Sequence, residues 1–291
     1  MEIEILIEVI IIMTVVVIAG GSQPEIVEFV RLAKKFYGEQ LQFVVFDKAD
    51  NIDPNHFWIY HHCANDQEVA QQAVNYVADG SGQILMKGLI QSHILLKALV
   101  QDKFDLKKQT LLSHIALIKL PQAANKSFLL TDGAMNIAPT TTTMIEIVDN
   151  VLVVAHKLGI VKPKIALISS AENFNPKMPS SVLAKEVAKH FQDQKNSIVF
   201  GPLSLDLALS PQAVQRKHYH GPIMGDADVI VVPNIDAGNV LYKAFALFAG
   251  AQTGGMIAGA KVPVILTSRS DTAQSKFYSL QLALRQLDTE V

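Results

Sequence analysis

Residues 15–35 read VVVIAGGSQPEIVEFVRLAKK: a β-branched run, two glycines, and then a segment with helical spacing. An unbroken run of Val and Ile favours a strand that is buried on both faces. Proline near the first helical position and lysines in the last turn mark the two ends of a helix. The stretch therefore predicts one strand–helix module of an α/β protein.

The same alternation continues along the chain and restarts after the turn at Lys162-Pro163-Lys164. Strands are predicted at 15–19, 42–47, 58–62, 83–86, 113–120, 127–131, 165–169, 196–200, 229–232 and 262–267. Helices are predicted at 24–35, 68–77, 92–100, 143–158, 180–191, 240–249 and 273–287. Strands and helices of these lengths predict mostly parallel sheets covered by helices on both faces, and the restart predicts two lobes.

The composition excludes several classes of protein. The 291 residues are 49% hydrophobic, and 25 Lys and Arg balance 27 Asp and Glu, so no basic excess is available for a nucleic-acid backbone. The single Cys63 cannot form an internal disulfide, which fits a reducing compartment. We expect a cytoplasmic protein that does not bind nucleic acid.

The apolar run at residues 9–19 is too short to span a bilayer, which takes about 20 residues. Acidic residues precede it, at Glu2, Glu4 and Glu8, where a secretory signal would carry positive charge. We therefore expect no membrane association, and Met1 and Met13 are both candidate starts.

Ligands of open α/β sheets bind at the carboxyl ends of strands, where four loops of this chain are unusual. In residues 233–239, Gly238 would allow close approach of a ligand, Asn239 could cap a helix, and free N–H groups would attract an anion. From the residues alone an ordinary capped turn is the favoured interpretation of this loop, with Asp236 a solvated carboxylate. In residues 266–273, Arg269 suits bidentate capture of phosphate, whereas Ser268 and Asp271 have the spacing of a capping box.

The other two loops carry weaker signals. Lys87-Gly88 places a cation at a strand end, although an exposed surface lysine is the common alternative. Residues 169–178 form a polar connection that is longer than a minimal one. No second cluster accompanies His61-His62-Cys63, so we expect no metal site, and no nucleotide-binding fingerprint follows the first strand.

Seven short motifs, taken in order, resemble the phosphate acetyl/butyryltransferase family, and more closely its phosphate butyryltransferase branch. They are LMKG at 85–88, LTDGAMNIAP at 130–139, NPKM at 175–178, GPL at 201–203 with Asp206, GDAD at 225–228, a VP-I-AGNVLYK pattern at 232–243, and LTSR at 266–269 with Asp271. The resemblance covers about residues 15–287.

The resemblance implies reversible transfer of a short acyl group, butyryl by preference, between coenzyme A and inorganic phosphate. It implies a two-lobed, three-layer αβα scaffold like that of isocitrate and isopropylmalate dehydrogenases, with a cleft between the lobes. Residues 1–145 with about 262–291 would form the first lobe and about 146–261 the second. Acyl-CoA and phosphate would be substrates, no cofactor would be bound permanently, and a homo-oligomer, a dimer or larger, is expected.

The resemblance also assigns site residues. Ser268 and Arg269 match the motif that contacts coenzyme A and phosphate. Arg269, Lys87 and the N–H groups near Gly238-Asn239 are candidate oxyanion donors. An aspartate proposed as the base in the acetyl branch is replaced here by Ser275, and Asp271 is the nearest alternative carboxylate. The remaining predicted contacts to coenzyme A or phosphate are Asn175, Pro176, Asp236, Asn239 and Lys243.

Three alternatives stay open at this point. In a strict phosphate acetyltransferase Ser-Arg is usually followed by Gly-Cys, whereas Ser270-Asp271 follows here. A dehydrogenase of the isocitrate type would need clustered metal-binding aspartates, which the sequence lacks. A non-catalytic module that binds coenzyme A or acyl phosphate would fit the missing carboxylate at Ser275. For an enzyme we expect a ternary complex, because Cys63 lies outside every matching motif.

Overall fold

The computed structural model describes residues 13–53, 56–121, 127–267 and 271–287. The described residues divide into two compact units. The terminal unit consists of the residues up to Gln109 and those from Gly254 onward, and the central unit consists of Thr110–Thr253.

The strands alternate with helices for most of the chain. The strands are β1 (Thr14–Ala19), β2 (Leu41–Asp47), β3 (Trp58–His62), β4 (Ile84–Lys87), β5 (Ser113–Lys119), β6 (Ser127–Thr131), β7 (Lys164–Ile168), β8 (Ile198–Leu203), β9 (Val229–Val231), β10 (Gln252–Ala258) and β11 (Val264–Ile265). The helices are α1 (Pro24–Tyr37), α2 (Asp66–Ala78), α3 (Ser92–Leu99), α4 (Thr141–Lys157), α5 (Pro179–His190), α6 (Leu205–Leu209), α7 (Pro211–Arg216), α8 (Ile235–Phe248) and α9 (Ala273–Leu284). None of the described helices combines the length and apolar character of a bilayer span.

In the terminal unit the strands lie in the order β3-β2-β1-β4-β11-β10. The pairs from β3 to β11 are parallel, and β10 is antiparallel to β11. Its core joins the sheet to α1 and α9, with Phe29 and Phe43 packed edge to face at 5.9 Å between ring centroids. Parallel strands covered in this way bury continuous apolar runs, which explains the residue pattern of β1.

In the central unit the order is β5-β6-β9-β7-β8, and only β5 is antiparallel to its neighbour. Side chains of α8, among them Leu241 and Phe245, pack on the buried residues of β5, β6 and β9. The ends of β6 and β9 lie side by side, because Leu129–Thr131 pair with Val229–Val231. Loops that follow these two strands therefore meet at one edge.

The predicted α/β class with mostly parallel strands is confirmed. The division into units differs from the predicted boundaries. Residues 110–145 belong to the central unit, since β6 pairs with β9, and residues 254–261 belong to the terminal unit, where β10 pairs with β11. β10, α6 and α7 were not predicted.

Candidate active site

Lys87 lies at the carboxyl end of β4 and is buried, with 3% of its surface exposed. Its Nζ donates hydrogen bonds to the carbonyl oxygens of Gly88 at 3.1 Å and Ile90 at 3.5 Å. The interpretation of Lys87 as an ordinary surface lysine is wrong. Backbone carbonyls of the following loop hold this ammonium group at the edge of the sheet.

The neighbouring strand β11 brings a second predicted loop to the same edge. Met86 pairs with Ile265, and Thr267 Oγ1 donates a hydrogen bond to the Lys87 carbonyl oxygen at 3.5 Å. Ser268 and Arg269, the residues predicted to contact coenzyme A and phosphate, follow directly but lie outside the described residues. Lys87, the last residue of β4, and Thr267 after β11 are thus adjacent in the terminal unit.

The first turn of α9 lies in the same unit. Thr272 is the N-cap, and its Oγ1 accepts the Ser275 N–H at 3.2 Å, so Asp271 is not the cap. Ser275 Oγ lies 3.3 Å from Thr272 Oγ1. The position that carries a carboxylate in the acetyl branch therefore contributes a hydroxyl that contacts the cap.

Lys276 is a buried cation that the sequence reasoning missed. Its Nζ donates a hydrogen bond to the Asp271 carbonyl oxygen. Burial lowers the pKa of Lys276, and the nearby carboxylates of Asp271 and Glu25 oppose that shift. A lysine in the first turn of a helix is unfavourable, because its positive charge opposes the helix dipole. This unusual position is the feature of the sequence that could have singled out Lys276. Its contact ties the segment before α9 to the helix.

In the central unit, Asp132 organises the loop that follows β6. Its buried carboxylate accepts the N–H groups of Ala134 and Met135 at 2.9 Å each, and the Asn136 side-chain amide at 2.6 Å. Asn136 Nδ2 also donates to the Leu112 carbonyl oxygen at 3.0 Å. These bonds fix a compact turn against the neighbouring α8.

The start of α8 differs from the prediction. Asn234, not Asn239, caps the helix, and its Oδ1 accepts the Ala237 N–H at 2.9 Å. Gly238 is inside the helix and donates its N–H to the Asn234 carbonyl oxygen at 3.2 Å. The N–H group of Gly238, predicted to bind an oxyanion, therefore already donates a hydrogen bond within the helix.

The close approach that Gly238 permits is to another loop of the chain. A Cβ at Gly238 would lie 2.7 Å from Gly133 Cα and 2.8 Å from the Asp132 carbonyl oxygen. Asn239 Nδ2 donates to the Gly133 carbonyl oxygen at 3.3 Å. The predicted glycine requirement is real, and its physical reason is packing between the β6 and β9 loops.

The remaining predicted contacts are exposed. Asn175 and Pro176 precede α5, where Asn175 Oδ1 accepts the Lys177 N–H at 3.0 Å and its own N–H donates to Ser181 Oγ at 2.8 Å. Asp236 and Lys243 lie on the outer face of α8. The structure thus brings Lys87 and Thr267 together in one unit, and Asn239 and the Asp132 turn in the other.

Cys63 follows β3 and is buried, and burial raises the pKa of its thiol to about 11, with the Glu68 and Asp47 carboxylates adding to the shift. His61, two residues before Cys63, stacks on Phe46 at 4.8 Å between ring centroids. Among the described residues, no three metal-ligating side chains lie together.

We expect the Cys63 thiol to stay protonated at pH 8 and to react slowly with Ellman's reagent. Thiolate is the reacting form, and a pKa of about 11 leaves roughly a thousandth of the thiol ionised at that pH. Native protein should release thionitrobenzoate at least about 100-fold more slowly than protein unfolded in urea, the matched control. Equal rates would contradict the burial of this side chain.

Each unit has a buried polar side chain at the carboxyl end of a parallel strand, Lys87 at the end of β4 and Asp132 after β6, and this is the edge at which open α/β sheets bind ligands. A family model described as phosphate acetyl/butaryl transferase matches residues 59–284. The chain belongs to this family of enzymes, which transfer an acyl group between coenzyme A and phosphate.

Individual relatives extend the match over most of the chain. A probable phosphate butyryltransferase of Bacillus subtilis is 40% identical over 225 residues, 77% of this chain and 75% of the relative. The phosphate butyryltransferase of Clostridium acetobutylicum is 34% identical over 278 residues, 92% of this chain and 91% of the relative. The crystal structure of a branched-chain phosphotransacylase from Enterococcus faecalis superposes with a TM-score of 0.91 at 59% identity, covering 94% of this chain and 99% of that one.

Proposed function

We propose that the acyl group is butyryl or a branched chain of similar length, carried on coenzyme A and transferred to inorganic phosphate. The observation that supports this choice is the 59% identity to a branched-chain phosphotransacylase over 99% of that chain. A strict acetyltransferase is the less supported alternative, since Ser270-Asp271 follows Arg269 where the acetyl branch usually has Gly-Cys.

The reaction needs positive charge where anionic reactants meet. Lys87 is held at the carboxyl end of β4 by carbonyl groups, so its ammonium group is preorganised and partly shielded from water. In that setting a cation stabilises an oxyanion more strongly than in water. We assign Lys87 to the phosphate or the thioester oxyanion, next to Ser268 and Arg269, which the resemblance places on coenzyme A and phosphate.

In the proposed ternary complex, a phosphate oxygen attacks the thioester carbonyl carbon. The carbon–sulfur bond then breaks, the acyl group leaves as acyl phosphate, and the coenzyme A sulfur takes up a proton. We assign that proton transfer to Asp271, the carboxylate nearest to Arg269 in the chain, or to Ser275, which stands where the acetyl branch has an aspartate. Cys63 is excluded as an acyl carrier by its burial and raised pKa. Asn175, Pro176 and Asn239 complete the proposed contacts to the substrates.

An acyl-chain series tests the substrate class. Purified protein is supplied with acetyl-, propionyl-, butyryl-, isobutyryl- or isovaleryl-CoA, and free thiol is measured with and without phosphate. We expect kcat/KM for butyryl- and isobutyryl-CoA to exceed that for acetyl-CoA by at least about 10-fold to 200-fold, because one methylene in an apolar pocket changes the barrier by about 1–3 kcal/mol and these chains have two more carbons than acetyl.

Acetyl-CoA as the best substrate would establish the acetyltransferase alternative. Coenzyme A binding without any phosphate-dependent thiol release would establish a binding module instead. Initial rates measured while acyl-CoA and phosphate are both varied distinguish a ternary complex from an acyl-enzyme mechanism. Intersecting double-reciprocal lines are expected for a ternary complex, and parallel lines would indicate an acyl-enzyme.

The proposal includes a homo-oligomeric enzyme in the cytoplasm. The single buried cysteine suits a reducing compartment.

A further inference from the structure

Helix α9 contains a single charged residue, and that residue is buried. The sequence of the helix is AQSKFYSLQLAL, and Lys276 is 3% exposed. The neighbouring Phe277 and Leu280 belong to the core of the terminal unit. Burying an ammonium group costs free energy, because the group loses its water. Lys276 therefore opposes folding in a way that an apolar residue of the same length would not.

Lys276 bonds to the two residues that precede α9. Its backbone N–H donates to the Thr272 carbonyl oxygen at 3.1 Å, and its Nζ donates to the Asp271 carbonyl oxygen. Thr272 is also fixed through its own side chain, which caps the helix at the Ser275 N–H. The position of the Asp271 backbone is therefore set by a buried side chain of the helix, in addition to the cap.

The charge of Lys276 acts on two carboxylates. Burial lowers the pKa of Lys276, and the carboxylates of Asp271 and of Glu25, in the first turn of α1, oppose that shift. The interaction is mutual, so the same ammonium group favours the ionised form of each carboxylate. Glu25 is exposed, whereas Asp271 is partly buried, and charges interact more strongly where water is excluded. Asp271 is thus the carboxylate on which Lys276 acts more strongly.

Asp271 is one of the two groups to which the proposed acyl transfer assigns its proton, and the contacts of Ser275 favour Asp271. Ser275 Oγ lies 3.3 Å from Thr272 Oγ1, so this hydroxyl takes part in the cap. An ionised carboxylate is also the stronger base at neutral pH. Asp271 can accept the proton of hydrogen phosphate as the phosphate oxygen bonds to the acyl carbon. It returns the proton to the coenzyme A sulfur as the carbon–sulfur bond breaks.

We propose that Lys276 is a positioning residue for acyl transfer, which holds the Asp271 backbone against α9 and keeps the Asp271 carboxylate charged to receive that proton. Lys276 acts through Asp271 and does not itself contact the substrates. The inference rests on the proposed function, because it needs a proton to move at Asp271. It accounts for a buried cation in a helix that is otherwise uncharged, since local rules of folding are broken mainly at functional sites.

Lys276→Met tests this role, because methionine has a similar length and no charge. We expect kcat for butyryl-CoA to fall about 10-fold to 100-fold, since a small displacement of a proton-transfer group costs a factor of that order. The KM values for butyryl-CoA and phosphate should stay within about threefold of the unmodified protein. The urea unfolding midpoint should not fall, because a buried charge is removed. A residue that only stabilised α9 would lower the midpoint and leave kcat unchanged.

A cycle of variants shows whether Lys276 acts through Asp271. Asp271→Asn should lower kcat about 100-fold, a usual contribution of general acid–base catalysis. Adding Lys276→Met to that variant should lower kcat by less than about threefold further, because the group that Lys276 positions is already lost. Lys35→Met, at an exposed lysine of α1, is the matched control and should change neither kcat nor the unfolding midpoint.

Lys276→Gln keeps a polar side chain but lacks the charge and the reach of lysine, and it should show the same loss of kcat if the methionine variant does not fold. Three results would overturn the inference alone: losses that multiply in the double variant, a folded Lys276 variant with the kcat of the unmodified protein, or an Asp271→Asn enzyme with full kcat. If the unmodified protein released no thiol from any acyl-CoA when phosphate is added, the proposed function would be refuted, and the inference with it.

Discussion

Replacing Lys87 by methionine should lower kcat for acyl transfer by two to three orders of magnitude. Removing one preorganised donor from an oxyanion costs about 2.7–4 kcal/mol, which corresponds to a factor of about 10²–10³. Lys87 meets the requirement of preorganisation, because its Nζ donates to the Gly88 and Ile90 carbonyl oxygens before any substrate arrives. Methionine fills a similar volume in a buried site, so packing is retained.

The measurement is steady-state thiol release from butyryl-CoA with phosphate varied, accompanied by urea unfolding of the same sample. Lys97 is an exposed lysine in the same unit, so Lys97→Met is the matched control. This variant should leave kcat and the urea unfolding midpoint unchanged. A Lys87→Met enzyme that unfolds normally and keeps a kcat near that of the unmodified protein would show that Lys87 serves only to shape its loop.

The positions of the loops could be predicted from the sequence, whereas the burial and the hydrogen-bond partners of their polar side chains could not. Lys87 was located correctly at a strand end, but its burial depends on the parallel pairing of β4 with both β1 and β11. No pattern in residues 85–88 contains that information. Lys276 was missed for the same reason, since the partner that explains its burial, Asp271, lies in an irregular segment.

Helix α8 shows how tertiary contacts shift a predicted boundary. Asn239 was expected to cap a helix over 240–249, with Gly238 in the loop before it, and glycine in a helix interior costs about 1 kcal/mol. The helix begins at Ile235, since Gly238 is required where α8 meets Gly133, and that contact outweighs the local cost. The unit boundaries were displaced by an equally long-range effect, the pairing of β6 with β9.

Gly88→Ala should destabilise the terminal unit by about 4 kcal/mol or more, at the upper end of single-residue effects. An added Cβ would lie 1.7 Å from the Gly20 carbonyl oxygen, which is backbone and cannot rotate away. The ends of β1 and β4 would have to separate. That movement breaks the hydrogen bonds from Gly88 N–H to the Ala19 oxygen, at 2.9 Å, and from Leu89 N–H to the Gly20 oxygen, at 2.8 Å.

The terminal unit contains the only tryptophan of the chain, Trp58 in β3, so its fluorescence reports urea unfolding of this unit. Gly80→Ala is the matched control, because Gly80 has a φ of +86° but no atom within 4 Å of the added Cβ, and it should cost only about 1–2 kcal/mol. If the unfolding midpoint of Gly88→Ala fell no further than that of Gly80→Ala, the strand ends would not approach as closely as described. The carbonyl oxygens of the loop after β4 would then not hold the Lys87 ammonium group in a fixed position. A preorganised cation at this edge could not explain acyl transfer.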